Sequence, residues 1–394
     1  MSAMLSLQDL KNAVANATAF RCRRRLQPAG GAGTKIFPPT YPGGVYATEP
    51  RRLPGIPNPV ECVLLDSVQS QANRMEEALQ QAADGGTIAI PVVAVDFSDA
   101  ALLEPVGRIT SLEAPHRISD AILRDAMTAD GKKFRESEIG ATLNHASTRN
   151  AGPLFDLCPT SLIFGIWDST GPKGGLGMKV ERAMASEIVA INVAKAEKAR
   201  GVRHDPLGIR AAIALTGTAS DWRVAEGQKA KSTIKPSEIN HGNVPFDGNN
   251  AGVTFDFAEQ TTVLSLVALR RLRFPINGKP NPSADMAGHA TLAALAMFAA
   301  AAAAEKGLDL RSRCVLWPEG PMEWELLERP GDQPQSFTIT ASHAAKLLKE
   351  AYEICTNHGL RWREEPLILK PTPQLVELVK KSQEIAAANP GVEE

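Results

Sequence analysis

The densest run of residues able to do chemistry is Trp167-Asp-Ser-Thr-Gly-Pro-Lys-Gly-Gly-Leu-Gly-Met-Lys179. Glycines let backbone N–H groups approach a phosphate, and a helix N-terminus behind such a loop favours an anion. Lys173 and Lys179 add positive charge around Gly174, Gly175 and Gly177. The loop threads neither G-x-x-x-x-G-K-[ST] nor G-x-G-x-x-G, so it is not a Walker or dinucleotide loop, and a plain strand–helix turn has the same composition. Ser70, Asn73 and Arg74 are spaced i, i+3 and i+4 and share one helix face. They could hydrogen-bond a nucleic-acid backbone, or form the solvated side of an amphipathic helix. Arg21, Arg23 and Arg25 alternate along an expected strand and could track a polyanion, or protect an exposed edge strand by charge. Arg24, among Phe20, Cys22 and Leu26, argues against a cleanly two-faced strand, and Arg270, Arg271 and Arg273 form a similar cluster. The stretch Lys229, Lys231, Lys235 to His241 and Asn243 suits a web facing nucleic acid or an ordinary surface loop.

Other chemistries lack their signatures. There is no G-x-S-x-G, no H-E-x-x-H and no EF-hand loop, and the seven histidines are scattered. Asp168 and the Asp256/Glu259 pair could hold a metal, but a carboxylate near a turn is usually a cap. No cofactor is expected. The aromatic string of RNA-recognition motifs is missing, so stacking on sheet aromatics is not the expected mode. Cys22, Cys62, Cys158, Cys314 and Cys355 form no C-x-x-C pair, which points away from zinc modules and disulfide frameworks and toward a reducing cytoplasm. The 394 residues are 43% hydrophobic and 22% charged, which excludes a mostly disordered or collagen-like chain. With 43 Lys+Arg against 44 Asp+Glu, a bulk polycation is excluded, and any nucleic-acid contact must come from local clusters.

The elements that must hold these groups follow from periodicity. Ala19–Pro28 reads as a strand, 37–60 as a long ordered loop rich in Pro and Gly, and Val60–Asp66 as a buried strand. Ser67 or Ser70 caps a helix to about Ala83 with Ala72, Met75, Leu79 and Ala82 as its apolar stripe. Residues 87–150 look like an insertion standing off the core. Leu162–Trp167 reads as a strand and Met178–Lys198 as a helix, with the glycine loop between them. The alanine-rich 287–304 reads as a helix packed on a sheet, because alanine is too weakly apolar for a convincing membrane span. Strands are expected within 253–269 and 311–328, a helix over 342–358, and a peripheral amphipathic segment after Pro371. The N-terminus lacks an apolar region of signal-peptide type. The class is α+β, with strands and helices in one core plus insertions.

Several strings together resemble a known family. LLDSVQSQANRMEEAL (64–79), HRISDAILRD (116–125), GKKFRESEIG (131–140), LFDLCPTSLIFGIWDSTGPKGGLGMKVERAMASEIVAIN (154–192), EINHGNVPF (238–246) and AEQTTVLSLVALRRLRFP (258–275) resemble the backbone subunit of the type I-G (formerly I-U) CRISPR Cascade complex, of the RAMP superfamily. The resemblance runs over about 19–330 and is most specific in 154–192. It implies a modified ferredoxin-like (RRM-like) palm with inserted finger and thumb elements. It further implies a non-catalytic subunit that binds CRISPR RNA, polymerises along it and presents it to target DNA, beside a large subunit and an RNA-processing subunit. An endoribonuclease of the same superfamily is the alternative, with His116, His241 or Asp168 as its candidates. The implied division is an N-terminal helix (1–18), palm (19–86), finger/thumb insertion (87–150), palm (151–219), second insertion (220–250), palm (251–335) and C-terminal helices and tail (336–394). Carried onto this chain, the RNA-binding residues are Arg21, Arg23, Arg25, Ser70, Asn73, Arg74, Lys173, Gly174, Gly175, Gly177 and Lys179, with Arg182 one turn behind. Arg117 and Ile118, the latter as an apolar wedge, and His241 and Asn243 join them from the two insertions.

Overall fold

The computed structural model describes residues 3–170, 177–196, 199–218, 221–225, 233–248 and 251–388. The strands that matter below are β1 (Ala19–Pro28), β2 (Val60–Asp66), β3 (Val93–Asp96), β4 (Arg108–Thr110), β5 (Ala126–Met127), β6 (Met184–Lys195), β7 (Val253–Ser265), β8 (Leu308–Arg311), β9 (Cys314–Pro318), β10 (Glu323–Leu327), β11 (Gln335–Thr338) and β12 (Leu367–Pro371). The main helices are α1 (Leu7–Asn16), α2 (Val68–Asp84), α3 (Pro282–Glu305), α4 (Ala341–Asn357) and α5 (Pro373–Ala388).

A mixed α/β architecture results, dominated by antiparallel pairing. The central sheet runs β11–β10–β1–β7–β6–β2, every neighbour antiparallel. Thr48–Arg51 extends it beyond β2, and the far end of β1 also pairs with β9, which pairs with β8. The register sets Arg23 opposite Thr261 and Ala190 opposite both Ala258 and Val63. Helices cover one face. Phe20, Cys22, Met184, Leu264 and Trp324 from the sheet join residues of α1 to α4 in one buried cluster. Helix α3 buries most of its length there; its composition would let it cross a membrane, but 89% of its apolar window is buried inside the fold.

Local chemistry explains these elements. Ser6 caps α1 in a capping box with Asp9, and Ser67 caps α2 by accepting from the Ser70 amide. Under α2 a buried polar layer is satisfied internally. Gln71 donates to Asp66 and accepts from Ser186 and Gln260, and the Ser186 and Thr262 hydroxyls bond each other. Arg24 belongs to this face: it is 7% exposed, and its Nη1 reaches Gln260 Oε1 at 3.4 Å. The alternation on β1 is therefore complete, with one arginine on the buried side.

Four expectations fail. Leu162–Trp167 is not a strand: Thr160–Phe164 is a short helix, and only Ile166–Trp167 is extended. Met178–Lys198 is not a helix but two strands, Lys179–Val180 and the long central β6. Residues 37–60 carry short strands, including Thr48–Arg51 in the sheet. Finally, 87–150 does not stand off the core. Val93, Ile118, Leu123, Phe134 and Leu143 are fully or almost fully buried in the main cluster, and β3 pairs in parallel with β12 from the far end of the chain.

Candidate nucleic-acid interface

The short helix Thr160–Phe164 stops at Gly165, whose φ of +85° places it in the region that favours glycine. A Cβ there would lie 3.1 Å from the Arg182 amide nitrogen, so the chain can cross itself at this point only without a side chain. Beyond it, Ile166 and Trp167 pair antiparallel with Val180 and Lys179, and the Asp168 amide donates to Met178 O at 2.8 Å. The glycine run is thus the tip of a hairpin, with no helix behind it. Any phosphate contact here must come from side chains and loop amides, without a helix terminus. Lys173, Gly174 and Gly175 lie outside the described residues; Gly177 sits at the hairpin's return.

Beneath this hairpin is a cleft of about 610 Å³ whose wall includes His116, Arg117, Arg124, Trp167, Lys179 and Arg182. Gln69 of α2 reaches it from one side. The structure therefore brings together three of the sequence-predicted residues, Arg117, Lys179 and Arg182, from three separate segments. Trp167 is 60% exposed, and the Lys179 ammonium lies 5.6 Å from its ring centroid. Arg182 Nε donates to Phe164 O at 2.9 Å, which fixes the base of its side chain while the residue stays exposed.

The electrostatics follow from one buried carboxylate. Arg117 places Nε and Nη2 on the two oxygens of Glu76, both at 2.7 Å, and Nη1 on Gly165 O at 3.2 Å. Burial pushes the Glu76 carboxyl up, and the Arg117 guanidinium opposes that shift. Burial and the neighbouring Arg117 push Arg182 down, a sign that two guanidiniums share one glutamate. Among the described residues neither Lys179 nor Arg182 has an ion-pair partner, whereas Arg124 is paired with Asp125 at 2.7 Å. The cleft carries positive charge beyond what its acids balance, next to an exposed indole. Such a wall suits an anion attached to a planar ring.

The remaining candidates lie elsewhere. Ile118 is 1% exposed and packs in the core, so it is not a wedge, and Arg117 beside it is anchored instead of projecting. Arg74 bonds Asp66 Oδ2 at 3.0 Å and the carbonyls of Asp309 and Leu310, which ties α2 to β8 and removes it from the exposed face. Ser70 is half-buried, and Asn73 is exposed one turn after Gln69. Arg21, Arg23 and Arg25 lie on the helix-free face of the sheet, away from the cleft wall. They meet Glu325 and Glu259 at 2.7 Å each and the Phe257 ring at 4.0 Å. Strand β1 is interior, so edge protection does not explain them either. Arg270 bonds the carbonyls of Val14 and Ala17 at the end of α1, and Arg271 pairs with Glu181.

His241 packs edge-on against Trp222 at 5.6 Å, and Asn243 Oδ1 accepts from the Asp205 amide; neither lines the cleft. Lys229 and Lys231 lie outside the described residues. Asp168 is buried and paired with Arg135 at 2.7 Å, which commits it structurally. Sequence reasoning missed Glu76, Trp167, Arg124 and Gln69. Only Glu76 left a signal, as a carboxylate between Met75 and the buried Ala78–Leu79 of an otherwise apolar stripe.

Residues 20–195 match the family model described as CRISPR-associated protein GSU0053, and this stretch contains the whole cleft wall. No curated protein matches the chain. Over that stretch the chain is similar to a CRISPR-associated protein family, which links it to CRISPR defence.

Proposed function

We propose, starting from that link to CRISPR defence, that this chain is the CRISPR RNA-binding backbone subunit of a type I-G Cascade complex, repeated along the guide and presenting it to target DNA. Its own chemistry in this reading is binding, without catalysis, and its other partners are the large and RNA-processing subunits. The cleft under the 166–180 hairpin is the observation that carries it: Lys179 and Arg182 lack counter-ions among the described residues, and Trp167 offers a ring face beside them. Lys179 and Arg182 would take backbone phosphates, which supplies affinity without sequence preference and leaves specificity to base pairing. The order of elements supports the ferredoxin-like palm. Strands β1, β6, β7 and β10, with α2 between the first two and α3 between the last two, lie in the sheet as last, first, third, second. Strand β2 is then an addition ahead of α2, placed at the outer side of β6.

Fluorescence anisotropy on a single-stranded RNA across a salt series tests the reading. Lys179→Ala with Arg182→Ala should weaken binding and lower the log–log salt slope by up to about two counterions. Trp167→Ala should cost about 1–3 kcal/mol with the slope unchanged, as loss of a stacking contact would. Wild-type affinity and slope in both variants would remove the cleft from RNA binding.

The endoribonuclease reading keeps one observation, the exposed His116 on the cleft wall. Defined cleavage of RNA by the pure protein, lost in His116→Ala, would replace the binding reading with that one.

A further inference from the structure

Helices α1, α3 and α4 leave between them an apolar groove enclosing about 260 Å³. Its floor is Ala287, Ala290 and Ala351, its walls are Met286 and Ile354, and Lys11 and His358 stand at its border. The border is therefore basic and the interior large enough for one aliphatic side chain.

The complementary shape lies on the same chain. Helix α5 buries no residue. Leu375 and Val379 lie against the core, and the Gln383 side chain bonds the backbone of Leu103 and Glu104, so one side of α5 is held down. On its outer side Leu378 is 67% and Ile385 60% exposed. They are seven residues apart, two turns and about 10.5 Å along one face. Each follows a glutamate, Glu377 and Glu384. Glu384 has Lys381 at 3.7 Å, an exposed pair that contributes little.

We propose that α5 of one copy seats its Leu378–Ile385 stripe in the α1–α3–α4 groove of a second copy, with Glu377 and Glu384 beside Lys11 and His358. An amphipathic helix in an apolar groove, anchored at i and i+7, is a recurring docking mode, and here the acidic border of the helix meets the basic border of the groove. Donor and acceptor are different surfaces, so the contact is heterologous: each copy has a free helix at one side and a free groove at the other, and copies add head to tail. The inference rests on the polymerising reading above and names the surfaces that would join successive copies.

Sedimentation velocity of the full chain without nucleic acid, over a wide concentration range, tests it. The wild type should form species larger than a monomer as concentration rises. Leu378→Glu with Ile385→Glu should shift that self-association at least tenfold to higher concentration. Its thermal unfolding should match the wild type, because both side chains are exposed. Glu377→Lys with Glu384→Lys should weaken association, and adding Lys11→Glu should restore part of it. A wild type that stays monomeric throughout, or a Leu378→Glu/Ile385→Glu variant that assembles like the wild type, would overturn the proposal. An RNA too short for two copies, read with Lys179→Ala, keeps the two ideas apart. Failure there leaves the α5 contact standing, and failure of association leaves single-copy RNA binding standing.

Discussion

Arg74 and Arg117 carry the same charged group, and both were expected at RNA; the structure separates them by what each guanidinium touches. Arg74 is spent on Asp66 and two carbonyls of β8. Arg117 is spent on Glu76 and Gly165, but it stands in the cleft wall and sets the charge that Arg182 experiences. Spacing along a helix could predict that Ser70, Asn73 and Arg74 share a face. It could not reveal that α2 packs beside β8, some 235 residues later, where carbonyls await a donor. Arg74→Ala should therefore destabilise the fold by about 1–3 kcal/mol, the cost of stranding its acceptors, with RNA affinity at the wild-type level. Glu76→Ala should cost about 3–5 kcal/mol, because it leaves the Arg117 guanidinium buried without its counter-ion. Urea unfolding read beside RNA anisotropy checks both. An Arg74→Ala protein of full stability and weak RNA binding would return Arg74 to the interface.

At the scale of elements, two segments show where periodicity gave out. Residues 178–198 are rich in Ala, Glu and Lys, which suits a helix, yet Met184, Ser186, Ile188 and Ala190 alternate toward the helices while Val189 and Ile191 meet Cys62 in a small cluster of their own. A central strand buried on both faces loses its alternation, and tertiary pairing with β2 and β7 overrides propensity. Strand β1 was legible because its outer face is charged throughout. Helix α3 was legible too, although its single Gly288 breaks an alanine-rich run. An alanine there would normally gain about 1 kcal/mol of helix propensity. Here its Cβ would stand 2.6 Å from the Phe274 ring and 3.0 Å from Leu360, so packing decides the sign. Gly288→Ala should destabilise by about 1–3 kcal/mol in thermal or urea unfolding, as overpacking does. A stabilised variant would mean that Phe274 can yield.

At the scale of the whole molecule, the stretch that matches the CRISPR-associated family does not close a core by itself. Strand β7 pairs with both β1 and β6, β10 closes the other side of β1, and α3 and α4 cover the sheet, all from beyond residue 195. The 87–150 segment also depends on the distant chain end, since β3 and β5 both pair with β12. No local pattern in 87–150 could announce a partner 270 residues away, which is why that segment read as free-standing. Two truncations separate what the end of the chain does. Ending the chain after Arg363 removes β12 and with it Leu369, which is fully buried between β3 and β5. The loss of that side chain alone should cost about 2–5 kcal/mol, and proteolysis should then open 93–127 before the rest. Ending it after Thr372 keeps β12 and removes only α5, whose residues are at most half-buried. That protein should unfold within about 1 kcal/mol of the full chain and bind a short RNA normally, yet stay monomeric where the full chain associates. If it instead lost the stability that the Arg363 truncation loses, α5 would be a brace for the 93–127 layer, and its outer stripe would have no separate task to explain its exposure.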